Sequence, residues 1–517
     1  MRISGRTTIL VCLLIVLAIV LRLYPGKDHL LWNTSDYARD AYTMRSMVEQ
    51  RDVRLLGARS EVFDPIKQAY LVFTGPLYYY ILSPWYYLSA GDPNLPLLVN
   101  IVIHTFTMAP LAWLSWKIWR RKTAVILTMF LFAVSYEQIE YARWLLNPAM
   151  ALPFLAWFWL WLYEFFTSRQ KILLAGLFLG LAIQSEIFLL YWLVPVAIIL
   201  LMTKSRWTVW VKFGLGWLLG LLPLVIAELK FNFRSSLSLI NYLLNPTNQT
   251  TSLMEKIGRY GLHLQVVMAH NFSGWLSNWN LLLLVIILVL PLFYFKKINQ
   301  RLKHALIFLY ILFFAQALIF LFNFQESIYA DVGLGLILIL LFVMGQFCLL
   351  QQHKKWLSWL LIGGVALAQL LLLERNVRLQ TPFSRQFFAA SDTLLFSHRL
   401  SVVEKIYQLS NGQDFSISIL DVPYGWPATW ASVFEQYAKR HQRNLPTLYG
   451  FSVNEVPGDK VFTKTDAPAK IHFVLTPQSS ALDEQTRQNF FILQDQVSTV
   501  ETKYYLHNLI IEKRYAK

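Results

Sequence analysis

Cysteine is nearly absent. The 517 residues carry two, Cys12 and Cys348, and each lies inside an apolar run. That argues against a disulfide framework and against a zinc site of ordinary cysteine–histidine spacing. Charge is equally scarce: Asp, Glu, Lys and Arg make up 15% of the chain, too few for a soluble protein of this length. A glycine-rich phosphate-cradling loop, a nucleophile elbow, internal repeats and low-complexity tracts are also missing. The charge that remains is lopsided, 46 basic against 30 acidic residues. The bases flank apolar blocks instead of forming one patch, so the excess reads as a topology signal and not as a nucleic-acid surface. An anionic lipid or lipid-phosphate ligand fits it better.

What is present is apolar surface in long blocks. Hydrophobic residues make up 56% of the chain and aromatics 15%, and mean hydropathy is +0.44. The blocks run to about 20 residues, the length that crosses a bilayer. Candidate spans are 7–24, 95–116, 122–136, 149–166, 172–187, 189–203, 209–227, 279–295, 304–323, 331–350 and 356–373. The fold class expected is therefore an α-helical polytopic membrane protein of about 11 spans. The basic N-terminus followed by Thr7–Val20 resembles a signal peptide, but bulky Leu21-Arg22-Leu23-Tyr24-Pro25 replaces a small-x-small cleavage site. It is read as an uncleaved first span.

Alternate loops set the orientation. Arg2/Arg6, Lys117–Lys122, Ser168–Lys171, Lys204–Arg206, Lys296–Lys303 and His353–Lys355 are short and basic, and the turns between them carry Glu137, Glu140, Glu186 and Glu326, with Arg143 the one base. The positive-inside rule places the N-terminus in the cytoplasm of a multi-pass cell-membrane protein. Residues 1–373 form the membrane domain. Three long segments then lie outside: 25–94, 228–278 and 374–517. The last has ordinary soluble composition, with strand-like runs at Phe415–Leu420, Lys470–Leu475 and Leu506–Glu512 and a helix-like run at Thr429–Gln442, which predicts a small extracytoplasmic α/β domain. Asn33, Asn248 and Asn271 head glycosylation triplets in these outward segments.

In the first outward loop, Ser35 or Asp36 can cap a helix running on through Val48. On it Asp36, Arg39 and Asp40 share one face by i,i+3 and i,i+4 spacing. A carboxylate beside a guanidinium can accept a proton or hold a metal, and the guanidinium can grip a phosphate through two parallel bonds. A capped interfacial helix with a local ion pair explains the same residues. Downstream, the Tyr-rich Thr74–Leu88 stretch, interrupted by Pro84, reads as a helix lying in the interface. Arg143, Asn147-Pro148, Glu186, Glu228, Lys256, Arg259, His263 and His270 sit at outward ends, where charge invites a functional reading beside a structural or snorkelling one.

Taken in order, these motifs resemble the GT-C membrane glycosyltransferases, in the protein-O-mannosyltransferase-like branch that includes the lipid A aminoarabinose transferases. The residues that carry the resemblance are Asp36-x-x-Arg39-Asp40-Ala41, Gly75-Pro-Leu-Tyr-Tyr79, Arg143 to Pro148, and Pro223 with Glu228-Leu-Lys230. They cover roughly residues 1–240. The resemblance implies a sugar donor on a polyprenyl phosphate, a lipid, glycan or protein acceptor, and transfer with inversion at the extracytoplasmic face of the membrane. It implies Asp36 as the catalytic carboxylate, Arg39 as the phosphate partner and Asp40, Tyr78, Arg143, Arg259 and His263 as substrate- or phosphate-side residues. Val72-Phe73-Thr74 stands where the aminoarabinose branch tends to carry acidic and Lys residues, so no metal-holding acid carries over there. A divalent cation is compatible with the reading and not required by it. A transporter or flippase of lipid-linked sugars is the alternative. It would place charges and breaks at mid-span, whereas here they gather at span ends.

Overall fold

The computed structural model describes residues 5–26, 30, 35–58, 72–244, 252–275, 277–321, 332–351, 355–379, 395–420, 427–452, 458–478 and 484–517. Packing divides the chain into two units. The first comprises Met1–Tyr24, Val53–Ile81 and Leu97–Arg375, the second Pro25–Asp52, Leu82–Pro96 and Asn376–Lys517.

The first unit is helical. Each of the eleven expected spans corresponds to an apolar helix or a bent helix pair, with ends differing by a few residues. Among the described residues, Asn94–Trp119, Asn147–Ser168 and Lys355–Arg378 are each long and apolar enough to cross a bilayer, and five shorter apolar helices accompany them. Two expected spans are broken. Lys122–Val134 bends by 60° into Tyr136–Arg143, so the outward turn expected at 137–148 is helical in its first half. Ser135 makes the break: it ends one helix in an extended conformation and caps the next, its hydroxyl accepting from Gln138 N–H. Trp207–Gly220 bends by 77° into Leu222–Lys230, where Pro223 lacks the N–H that would continue the ladder.

Small residues bring two helices into backbone contact. Gly176 and Gly180 on Ile172–Ser185 face Gly216 and Gly220 on Trp207–Gly220. A Cβ on Gly180 would lie 2.5 Å from the Trp217 carbonyl and 2.8 Å from Gly220 Cα, and the other three glycines are as crowded. Paired small-x-x-x-small spacings give this close approach, because apolar side chains gain nothing by leaving lipid and dispersion must hold the helices.

The second unit contains a six-stranded sheet of order β3-β2-β1-β4-β6-β5. Its strands are β1 Phe415–Ile419, β2 Thr447–Tyr449, β3 Thr463–Thr465, β4 Ile471–Pro477, β5 Ser498–Leu506 and β6 Leu509–Ala516. β1 pairs in parallel with β2 and β4, and β6 pairs antiparallel with β4 and β5. β1 and β4 are buried along their whole length, as expected of central strands flanked by helices. The expected helix near Thr429–Gln442 runs Ala428–His441, and its Trp430, Val433 and Phe434 are buried. The expected strand at Leu506–Glu512 straddles a hairpin corner: Leu506 ends β5 and Leu509–Glu512 open β6. His507 and Asn508 both take positive φ, +49° and +60°, the conformation that turns β5 into β6. The same unit holds the Ser35–Glu49 helix, tied to the tail before it starts by Phe396 N–H donating to Leu30 C=O at 2.8 Å.

Candidate active site

The Ser35–Glu49 helix brings its three candidate residues together. Arg39 Nη1 lies 2.5 Å from Asp36 Oδ1, and Arg39 Nε and Nη2 both lie 2.9 Å from Asp40 Oδ1. One guanidinium therefore bridges two carboxylates, and the group carries a net negative charge. Exposure separates the two acids: the Asp40 side chain is 1% exposed, that of Asp36 22%. Asp36 also occupies the first turn, where the helix dipole favours an anion. Nearby Tyr86 is buried, and burial, then the charges of Asp40 and Asp92, raise its hydroxyl well above the ordinary tyrosine value. It stays a neutral donor at any physiological pH.

The helix's opposite face meets the tail. Tyr42 Oη donates to Glu435 Oε2 at 3.0 Å, and Arg45 reaches both Glu435 oxygens at 3.2 and 3.3 Å. Lys439 Nζ adds a 2.7 Å bond. Burial pushes the Glu435 carboxyl up, but the Lys439 hydrogen bond and the Arg45 charge outweigh it and hold the group below the ordinary glutamate range. Glu435 is a residue that the sequence pattern alone does not single out. Its only local signal is an i,i+4 pair with Lys439, common on any solvated helix.

The remaining candidates belong to the first unit, where several have structural duties. Tyr78 is buried and its hydroxyl donates to Leu145 C=O at 2.7 Å. Arg143 donates from Nη1 to the Arg22 carbonyl at 2.9 Å, closing the end of the first helix. Asn147 bonds Ser185 C=O, Glu186 caps the next turn through Phe188 N–H, and Glu228 accepts from Ser236 N–H. Arg259 sits exposed in an i,i+4 pair with Glu255 at 2.6 Å, and His263, one turn on, is buried. His270 packs edge-on to Tyr136. Asn271 is 2% exposed, its amide donating to Glu137 and the Val267 carbonyl and accepting from Ser135. Its amide is thus engaged and shielded from solvent. Asn33 and Asn248 lie outside the described residues. Glu228 also borders an apolar cleft of about 310 Å3 lined by Ile183, Trp217, Leu224 and Phe233. No group of three His, Cys, Asp or Glu placed to hold a metal occurs among the described residues.

No protein-family model matches the chain, and no curated protein matches it in sequence. In structure it is similar to two crystal structures of ArnT from Cupriavidus metallidurans. The one bound to undecaprenyl phosphate shares 9% identity at a TM-score of 0.57 and covers 97% of each chain. The apo form shares 10% at 0.56, covering 99% of this chain and 98% of ArnT. At such identity the likeness shows the fold alone, a bundle of apolar helices with a small C-terminal sheet, which is the fold class expected from the sequence.

Proposed function

We propose that the protein is a membrane glycosyltransferase that moves a sugar from a polyprenyl-phosphate donor to an acceptor hydroxyl at the extracytoplasmic face, with inversion. The observation that carries this reading is the full-length likeness to ArnT, one structure of which holds undecaprenyl phosphate. The N-terminus is cytoplasmic and the 374–517 tail extracytoplasmic in this reading, in keeping with the basic inward loops.

Asp36 is the catalytic carboxylate. It accepts the proton as the acceptor oxygen bonds to the anomeric carbon, and the carbon–oxygen bond to phosphate breaks with its electron pair staying on the leaving polyprenyl phosphate. Arg39 partners that phosphate. The geometry supports an exchange: Arg39 keeps its two contacts to buried Asp40 and trades its single contact to Asp36 for a phosphate oxygen. The apolar cleft beside Glu228 is suited to hydrocarbon, in keeping with a prenyl chain. Arg143, Arg259, His263 and Tyr78 are phosphate- or substrate-side residues of lower rank, since each is already engaged or lies in a local pair.

The test is reconstitution in liposomes with polyprenyl-phosphate sugars, comparing wild type with Asp36→Asn. Transfer falls by about a hundredfold or more in the variant. Undiminished transfer would sink the assignment.

A further inference from the structure

We propose that the C-terminal module is the positioning element for Asp36, with Glu435 as the positioning residue; this rests on the catalytic reading of Asp36 above. The helix Ser35–Glu49 turns about 100° per residue, which sets Tyr42 and Arg45 on the far side from Asp36 and Asp40. One side carries the candidate chemistry and the other is fastened to the tail helix Ala428–His441. The fastening is specific. Glu435 is 13% exposed in its side chain and accepts from Tyr42, from both terminal nitrogens of Arg45 and from Lys439.

Two backbone features complete it. Gln436 Nε2 donates to Gly91 C=O at 3.0 Å and Arg45 Nη1 contacts Ala90 C=O at 3.4 Å, so the turn after the Tyr-rich helix is held by the same pair of helices. Gly458, at φ +89°, faces the Tyr42 ring so closely that a Cβ would lie 2.6 Å from its Cε2. Together with the Phe396–Leu30 bond, the tail grips the chain before, along and beyond the helix. A 15-residue helix of polar character is marginal by itself, and a displacement of about 1 Å in a catalytic group can cost about a hundredfold in rate. Glu435 touches no reacting atom; it acts through the helix that presents Asp36.

The experiment uses the full-length protein. Glu435→Gln keeps the side-chain volume and removes the charge that Arg45 and Lys439 share. Hydrogen exchange at the amides of residues 35–49 should speed up, and kcat for sugar transfer should fall about ten- to a hundredfold with the donor KM changed less than about twofold. The double variant Arg45→Glu/Glu435→Arg, which rebuilds the pair in reverse, should recover most of the rate. Unchanged exchange in 35–49, or faster exchange with unchanged kcat, overturns the proposal. So does a loss of rate that the swap leaves unrepaired while the tail stays folded. Asp36→Asn run in parallel separates the two readings. An active Asp36→Asn removes the catalytic reading and this proposal with it, whereas a dead Asp36→Asn beside an unaffected Glu435→Gln removes only the role of the tail.

Discussion

His472 makes the stability of the tail depend on pH. It lies in central strand β4, fully buried, with Ser416 Oγ 2.7 Å from Nδ1 and Gln494 Oε1 2.9 Å from Nε2. Gln494 Oε1 can only accept, so Nε2 carries the proton and the neutral ring accepts at Nδ1 from Ser416. Burial lowers its pKa to about 4, outweighing the help of the Gln494 bond. A group whose folded pKa is depressed supports the fold above its unfolded pKa and loses that support as pH falls. Here the window opens near the ordinary histidine value and closes near the folded one. At about 1.4 kcal/mol per pH unit, the loss reaches about 3 kcal/mol at pH 4, or somewhat over a hundredfold in the opening equilibrium. The assay is hydrogen exchange of the β1 and β4 amides in the full-length protein, corrected for intrinsic rates, between pH 7 and about 4. Protection should fall through that window in wild type. In His472→Gln the baseline is lower and the slope flatter. Flat protection in wild type, or the same slope in the variant, refutes the reasoning.

Other perturbations follow from the same geometry. Gly180→Ala should lower the melting temperature of the membrane unit, at a cost of about 1–3 kcal/mol, because the new methyl meets the Trp217 carbonyl with no room to shift. Gly335→Ala should do likewise by driving a methyl into the Glu137 carboxylate and to 2.6 Å from Asn271 Nδ2; differential scanning fluorimetry reads both. Arg39→Lys replaces a fork by a point charge that cannot hold both acids. Steady-state kinetics should show donor KM rising and kcat falling, by roughly tenfold in kcat/KM. The Glu435 clamp should survive mild acid, because a carboxyl held below its ordinary range loses its partners only as pH drops beneath that range; exchange at residues 35–49 measured from neutral pH downward checks it.

Much of the helical architecture is legible in the chain because bilayer crossing demands long apolar blocks, and block length is a linear property. Bends are less so: Pro223 is visible, but Ser135 breaks its span by a capping bond that depends on local geometry. The glycine pairs at 176/180 and 216/220 carry a readable spacing, though which helix each pair meets is a tertiary fact. In the tail, Phe415–Ile419 and Ile471–Pro477 stand out because central strands must be apolar. β2 and β3 have three residues each, and β5 is mostly exposed and polar, so neither length nor pattern marks them. The triad Asp36, Arg39 and Asp40 is legible because helical spacing fixes neighbours three and four apart. Glu435 is not, since no periodicity links positions 390 residues apart.

That separation has a consequence for how the protein is made. Synthesis delivers the Ser35–Glu49 helix among the first segments of the chain, while its partner appears only after every apolar block has been produced. Long-range contacts of this kind form late, after the local ones. A nascent chain thus presents its apolar blocks before the acid-bearing helix is secured, and that helix is fastened only once the segment around residue 435 has folded. Chains cut short anywhere ahead of residue 435 would lack the Glu435 clamp and leave Tyr42 and Arg45 of that helix without their long-range partner.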